Sequence, residues 1–212
     1  MSKPSIYTNY TKPVMGKLSA FLLLATCVPV FTVLAIPLVL VNKGKIFYRQ
    51  NRIGLNSKPF IVYKLMTMSN VTNEFGELLP DNVRTHRLGK YLRTMHIDEL
   101  PQLLNIIKGD MAFIGPRPLL PDYLPLYTNN QLTRHNVKPG VTGLAQVQGG
   151  NSLSWNHRLR LDAEYAKSES LALDILILGR TVKYFISGLT GSKPRVIYSC
   201  SLTEELAIHQ RA

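Results

Sequence analysis

Between Leu18 and Val41 the chain runs 24 residues without a charged side chain. As one straight helix this run extends about 36 Å, against roughly 30 Å for the hydrocarbon core of a bilayer. Pro29 and Pro37 fall inside it; each lacks a backbone donor and favours a kink. Basic residues stand on both flanks, Lys3, Lys12 and Lys17 before the run and Lys43, Lys45, Arg49 and Arg52 after it. A spanning helix usually has its Lys/Arg excess on one side. The two-sided flanks predict a segment that dips into the membrane and returns to the same face; a true span and a buried core helix are the competing readings. The run is longer than a signal-peptide core, and no small-residue cleavage site follows it.

Downstream the period changes. IFYRQ (46–50) and FIVYKL (60–65), separated by a break containing Gly54 and Asn56, predict a β-hairpin. Residues 69–86 read as a polar loop, and RLGKYLRTM (87–95) as a short helix. Leu100, Leu103, Leu104 and Ile107 fall on one helix face, which predicts a helix from Asp98 to Lys108. Asp98 is then the N-cap, Pro101 lies in the first turn and Gly109 is the stop. GPRP and PDYLP predict an extended loop over 115–125, and KPGVTG (138–143) a turn. Ser154 is placed to cap a helix over 155–168. Leu171, Ile175, Leu178, Val182, Phe185, Ile186 and Leu189 form a stripe on a last helix. That stripe fits a membrane-interfacial helix or one packed on the core equally well.

Composition narrows the class. The 212 residues suffice for one domain with a real core, and 45% hydrophobic content excludes both a polytopic membrane protein and a disordered chain. Cys27 and Cys200 fit no metal spacing and imply no disulfide framework, so a reducing compartment is expected. The net charge is +12, and residues 1–73 hold nine Lys or Arg and no acid before Glu74. Around an apolar run, such charge reads as attraction to anionic lipid, about 1 kcal/mol per residue near the surface. Aromatic residues are not interleaved with the basic ones as in a single-strand binder, so no nucleic-acid partner is expected.

The chemistry centres on Asp98 and Glu99. At a helix tip, free N–H groups and the helix dipole favour an ionised carboxylate. An ionised Asp can attack phosphorus and form an acyl phosphate. Glu99, one residue on, can hold Mg²⁺, which takes one or two carboxylates plus phosphate oxygens. Arg117, between the prolines of GPRP, suits a preorganised phosphate fork; Lys64, Arg93 and Arg52 are further phosphate-binding candidates. The glycines of KPGVTG can present N–H groups to a phosphate. An Asp-Glu pair alone is more often a helix cap. The combination points to a membrane-bound protein that handles phosphates.

QNRIG (50–54), YKLMTM (63–68), LRTMHIDELPQLLNIIKGDMAFIGPRPLL (92–120), RHNVKPGVTGLAQVQG (134–149) and LDAEYAKS (161–168) resemble the bacterial sugar transferase family. These are small monotopic phosphoglycosyl transferases that act on polyprenyl phosphate. The resemblance implies transfer of a phosphosugar from a UDP-sugar to undecaprenyl phosphate, giving undecaprenyl-diphosphate-sugar and UMP, at the start of bacterial surface-glycan assembly. It implies Asp98 as nucleophile through a covalent phosphosugar intermediate, Glu99 as the Mg²⁺ ligand, and Arg117 as a substrate-phosphate contact. Lys64, Arg93 and Asp162 match further substrate-site positions. The implied location is the cytoplasmic face of the inner membrane, with downstream glycosyltransferases as partners and a homodimer open to it.

Pattern and resemblance together predict an α+β fold: a mainly helical membrane-associated domain with a small β-hairpin or sheet. Residues 1–44 form the re-entrant membrane helix, 45–190 the catalytic domain with interfacial helices, and 191–212 a tail. The chain departs from the family pattern in four places. GKLSAF (16–21) lacks an acid before the apolar run, Met66 replaces a basic residue, Val28 replaces the usual Ser before the proline, and GSKPRVIYS (191–199) diverges. The sugar is therefore not readable from the chain.

Overall fold

A computed structural model describes residues 5–189 and 202–203. The divergent stretch 191–199 and most of the predicted tail lie outside the described residues. In chain order the elements are α1 (Lys12–Val41), β1 (Phe47–Ile53), β2 (Pro59–Leu65), α2 (Asp81–Arg84), α3 (Arg87–Thr94) and α4 (Gln102–Lys108). There follow β3 (Ala112–Ile114), α5 (Asn129–Leu132), β4 (Gly140–Thr142), α6 (Leu144–Gln148), α7 (Trp155–Ser168) and α8 (Leu171–Leu189). Helices dominate and the two sheets have two strands each, so the fold is α+β as predicted.

The chain divides into two compact units. The anchor unit holds residues 17–50 and 61–108; the C-terminal unit holds the described parts of 1–16, 51–60 and 109–212. In the anchor unit, α1 stays helical through Pro29 and Pro37. The Thr32 hydroxyl donates to the Val28 carbonyl at 3.0 Å, so a hydroxyl does act beside Pro29 although Val28 has none. Most of the helix faces outward: Phe21, Val28, Val33, Ile36 and Leu40 are exposed. Ala20 is buried nearer the start, and the C-terminal part is packed. Leu38 joins Leu65 and Leu92 in a core that also takes Phe31, Leu34, Ile46 and Ile97. The helix end is pinned by polar contacts as well, since Asn42 Nδ2 donates to the Met66 carbonyl at 2.8 Å. The 69–86 stretch is more ordered than a loop, with bridges Met68–Thr85 and Thr72–Leu78 and the short α2.

In the C-terminal unit, β3 and β4 pair in parallel, Ala112 with Gly140 and Ile114 with Thr142. The sequence reading has a turn at 138–143, and three-residue strands carry too little pattern to be seen. Three glycines allow the contact. A Cβ on Gly115 would lie 2.3 Å from the Lys138 carbonyl, one on Gly140 2.1 Å from the Gly115 nitrogen, and one on Gly143 2.2 Å from the Gly115 carbonyl. The stretch predicted to be extended over 115–125 instead turns into a 3₁₀ helix at Pro121–Leu126. Pro121 at its start fits a first turn, where a missing N–H costs nothing.

α7 forms where predicted, and the Ser154 hydroxyl accepts from His157 N. Leu161, Tyr165 and Ala166 of α7 pack with Ile177 of α8, Ile114, Val137 and Leu144. On α8 the inward residues are Asp174 and Ile177, while Leu171, Ile175, Leu178, Val182, Phe185 and Ile186 of the stripe are exposed. The apolar stripe therefore faces away from the protein. A buried polar cluster ties in the start of the chain: Lys12 Nζ lies 2.5 Å from Glu169 and 2.9 Å from Asp174, and donates to the Tyr165 hydroxyl at 2.6 Å. Tyr7 donates to the same Asp174 at 2.5 Å.

Candidate active site

Two local constraints assemble the acidic pair. First, α3 sits hard against the end of β2: a Cβ on Gly89 would fall 2.1 Å from the Thr67 carbonyl. His86 caps that helix, its Nδ1 accepting from Gly89 N at 2.8 Å. Arg93 then reaches Thr67, with Nε donating to Oγ1 at 2.8 Å. Second, Asn105 on α4, 0% exposed, clamps β2: its Oδ1 accepts from Tyr63 N at 3.2 Å and its Nδ2 donates to the Ile61 carbonyl at 2.6 Å. Both clamps hold the strand that bears Lys64. Asn105 is not among the candidates read from the sequence; an Asn on a helix reads as a solvated position.

Between α3 and α4 the chain makes a sharp turn. His96 adopts a left-handed conformation (φ 55°), and Ile97–Glu99 form one 3₁₀ turn. The α-helix begins only at Gln102, not at Asp98. Pro101 stands just before that start, where its missing N–H costs no helix bond. Asp98 is therefore not an α-helix cap. It is 8% exposed, and its pKa is raised rather than lowered: burial is the main cause and the Glu99 charge adds to it, opposed by Lys64, Arg93 and His96. The expected support from an α-helix tip is missing, and desolvation works against the charged form. Its counter-charges come from side chains instead.

Lys64 supplies one of them and pairs directly with Glu99, Nζ to Oε1 2.6 Å. Lys64, Arg93, Asp98 and Glu99 thus belong to one cluster in the anchor unit. Among the described residues no three His, Cys, Asp or Glu side chains form a metal-holding group. Asp98 and Glu99 make a two-carboxylate donor set, enough for Mg²⁺ only with oxygens from water or a phosphate. The mutual repulsion of the two acids is what a cation would relieve. Met66, 6% exposed, sits in the interior with its amide donating to the Ile46 carbonyl.

Arg117 and Asp162 belong to the C-terminal unit. The backbone carbonyls of 116–119 are all taken by donors of that unit. Gly140 N donates to Pro116 O at 2.9 Å, Arg134 Nη2 to Arg117 O at 2.6 Å, Arg52 Nη1 to Pro118 O at 3.3 Å and Ile53 N to Leu119 O at 3.0 Å. The PRP backbone is fixed while the Arg117 side chain is exposed. Asp162 is 4% exposed and binds Arg134, itself 2% exposed, through Nη2 at 2.7 Å. Burial pushes the Asp162 pKa up while Arg134 pulls it down. Arg134, like Asn105, is not singled out by the sequence reading. Its neighbour His135 gives its Nδ1–H to the Gly54 carbonyl at 3.2 Å, and burial with the Arg134 charge lowers its pKa to about 4.

An exposed apolar helix, and a pair of acids facing lysine and arginine side chains, fit a membrane-associated protein that handles anionic groups. The chain belongs to the bacterial sugar transferase family, whose sequence profile matches residues 7–188. It is 47% identical over 167 residues to the uncharacterized sugar transferase EpsL of Bacillus subtilis (strain 168), covering 78% of this chain and 83% of that protein. It is 35% identical to a UDP-glucose:undecaprenyl-phosphate glucose-1-phosphate transferase of Caulobacter vibrioides (84% of this chain, 71% of that protein). It is 32% identical to a UDP-N-acetylgalactosamine-undecaprenyl-phosphate N-acetylgalactosaminephosphotransferase of Aeromonas hydrophila, 87% of this chain matching 46% of that longer protein.

Proposed function

We propose that the protein transfers a phosphosugar from a UDP-sugar to undecaprenyl phosphate, with Asp98 as the nucleophile. The observation that carries this is the half-buried cluster in which Asp98 and Glu99 face Lys64 and Arg93. A buried carboxylate with a raised pKa is a better nucleophile than a solvated one, and its cationic neighbours draw an anionic diphosphate toward it. An Asp98 carboxylate oxygen attacks the sugar-bearing phosphorus. The bond from that phosphorus to the bridging oxygen breaks, and UMP leaves with the electron pair. A phosphate oxygen of undecaprenyl phosphate then attacks the same phosphorus and returns Asp98 as a free carboxylate. Lys64 and Arg93 balance charge on the phosphates, and the family resemblance makes Arg117 a further substrate-phosphate contact. Asp162 acts through Arg134, which holds the Arg117 carbonyl, rather than by touching substrate. Glu99 would hold Mg²⁺, which when bound would neutralise charge on the diphosphate. Relatives named for glucose and for N-acetylgalactosamine match at similar identity, so the sugar is left open.

The same reading puts α1 in the cytoplasmic face of the inner membrane as a re-entrant segment. Its start is held by Glu169 and Asp174 of the C-terminal unit, and its end by Leu65, Leu92 and the Met66 carbonyl of the anchor unit. Among the described residues only Tyr7–Val41 is long and apolar enough to cross a membrane. On this reading the outward stripe of α8 rests in the membrane interface. The test of the activity is UMP release from a panel of UDP-sugars with undecaprenyl phosphate and Mg²⁺. Release from one donor that requires the lipid supports the reading; salt-sensitive lipid binding with no turnover of any donor points to a basic scaffold instead. Labelling of cysteines placed at Ser5 and Ser57 tests topology, and accessibility from opposite sides rules out re-entry.

A further inference from the structure

Glu99 already has a cation. The Lys64 ammonium lies 2.6 Å from Glu99 Oε1, with side chains 23% and 14% exposed. When ionised, Asp98 and Glu99 carry two negative charges, and Lys64 and Arg93 carry two positive ones. The cluster is balanced as it stands. A divalent cation added to it leaves an excess of two positive charges, and the diphosphate of a nucleotide sugar carries two negative ones. Metal and diphosphate therefore complement each other here, and neither alone is well matched to the cluster. Of the two basic residues, Arg93 is anchored by its Nε on Thr67, whereas Lys64 is a compact charge on a flexible stem at the end of a strand.

We propose that Lys64 competes with the divalent cation for Glu99. This rests on the Mg²⁺ reading of the proposed function. In the substrate-free protein the ammonium occupies the carboxylate and keeps metal affinity low. When diphosphate and metal enter together, the ammonium gives up Glu99 and turns to phosphate. Lys64 is thus a positioning residue for the metal as well as a phosphate contact. It couples metal binding to substrate binding through one exchange of partners.

Mn²⁺ binding to the full-length protein in a non-ionic detergent tests this without turnover, through loss of the free-ion electron paramagnetic resonance signal. Lys64→Met is expected to bind Mn²⁺ about tenfold more tightly than the wild type, because a competing charge at contact distance is removed. Lys64→Arg keeps a cation and is expected to stay within about twofold of the wild type. Glu99→Gln should abolish binding in both backgrounds. If Lys64→Met binds no more tightly while Glu99→Gln still abolishes binding, the competition is wrong and the metal reading stands. If Glu99→Gln leaves binding unchanged, or no variant binds Mn²⁺, the metal reading fails and takes the competition with it.

Discussion

Arg134 and Asp162 in the C-terminal unit are 2% and 4% exposed, and Arg134 also gives an N–H to the Arg117 carbonyl. Lys64 and Glu99 in the anchor unit keep 23% and 14% of their side-chain surface open, beside a second acid, Asp98. The residue classes are the same and the consequences differ. The closed pair has its charge matched and its guanidinium committed to backbone, so it holds a loop in place. The open cluster crowds two acids, and the cost of burying Asp98 is only partly offset by its neighbours. A site of that kind gives up stability for reactivity.

The sharpest way to break this contrast is to make the same change in both places. Asp98→Asn should lower turnover by at least about 10³-fold, since the covalent route is lost with the nucleophile. It should leave the melting temperature unchanged or raised, because burial disfavours the carboxylate it replaces. Asp162→Asn should do the reverse to stability, costing about 3–5 kcal/mol in denaturant unfolding by stranding a buried Arg134 charge. Equal stability losses for the two variants would erase the distinction.

A pH titration sharpens it further. His135 has its pKa lowered to about 4 from 6.5, mainly by burial and then by the Arg134 charge. The folded protein thus binds fewer protons than the unfolded chain between those values, and stability falls as pH drops from 6.5 to 4. The full loss is about 3 kcal/mol. His135→Gln should flatten that slope, which unfolding curves at several pH values would show. The smallest effect belongs to a third pair. Arg160 and Glu164 are 60% and 55% exposed at 3.7 Å, and Arg160→Ala should shift stability by no more than about 0.5 kcal/mol.

Much of this was legible in the chain. The α7 cap at Ser154, the helix at 171–189 and the hairpin all carry strong local signals, in a hydroxyl, a period and a glycine turn. The direction of the α8 stripe was not, because an apolar face reads the same whether it meets protein or lipid. The Lys12 cluster was also hidden: its partners Glu169 and Asp174 lie more than 150 residues away, and charged residues at helix ends normally read as solvated. At the site, the types and neighbours of Lys64, Asp98 and Glu99 were readable. The source of their charge balance was not, since the α-helix starts beyond Asp98, at Gln102, and burial raises the Asp98 pKa.

The central claim is that Asp98 itself becomes covalently loaded. The direct measurement is mass spectrometry of the purified protein mixed with a turned-over UDP-sugar and Mg²⁺ in the absence of undecaprenyl phosphate. The account predicts a gain of one phosphosugar on the peptide containing Asp98, discharged when the lipid is added and absent in Asp98→Asn. An active protein that shows no adduct at Asp98, or carries the phosphosugar on another residue, would contradict it.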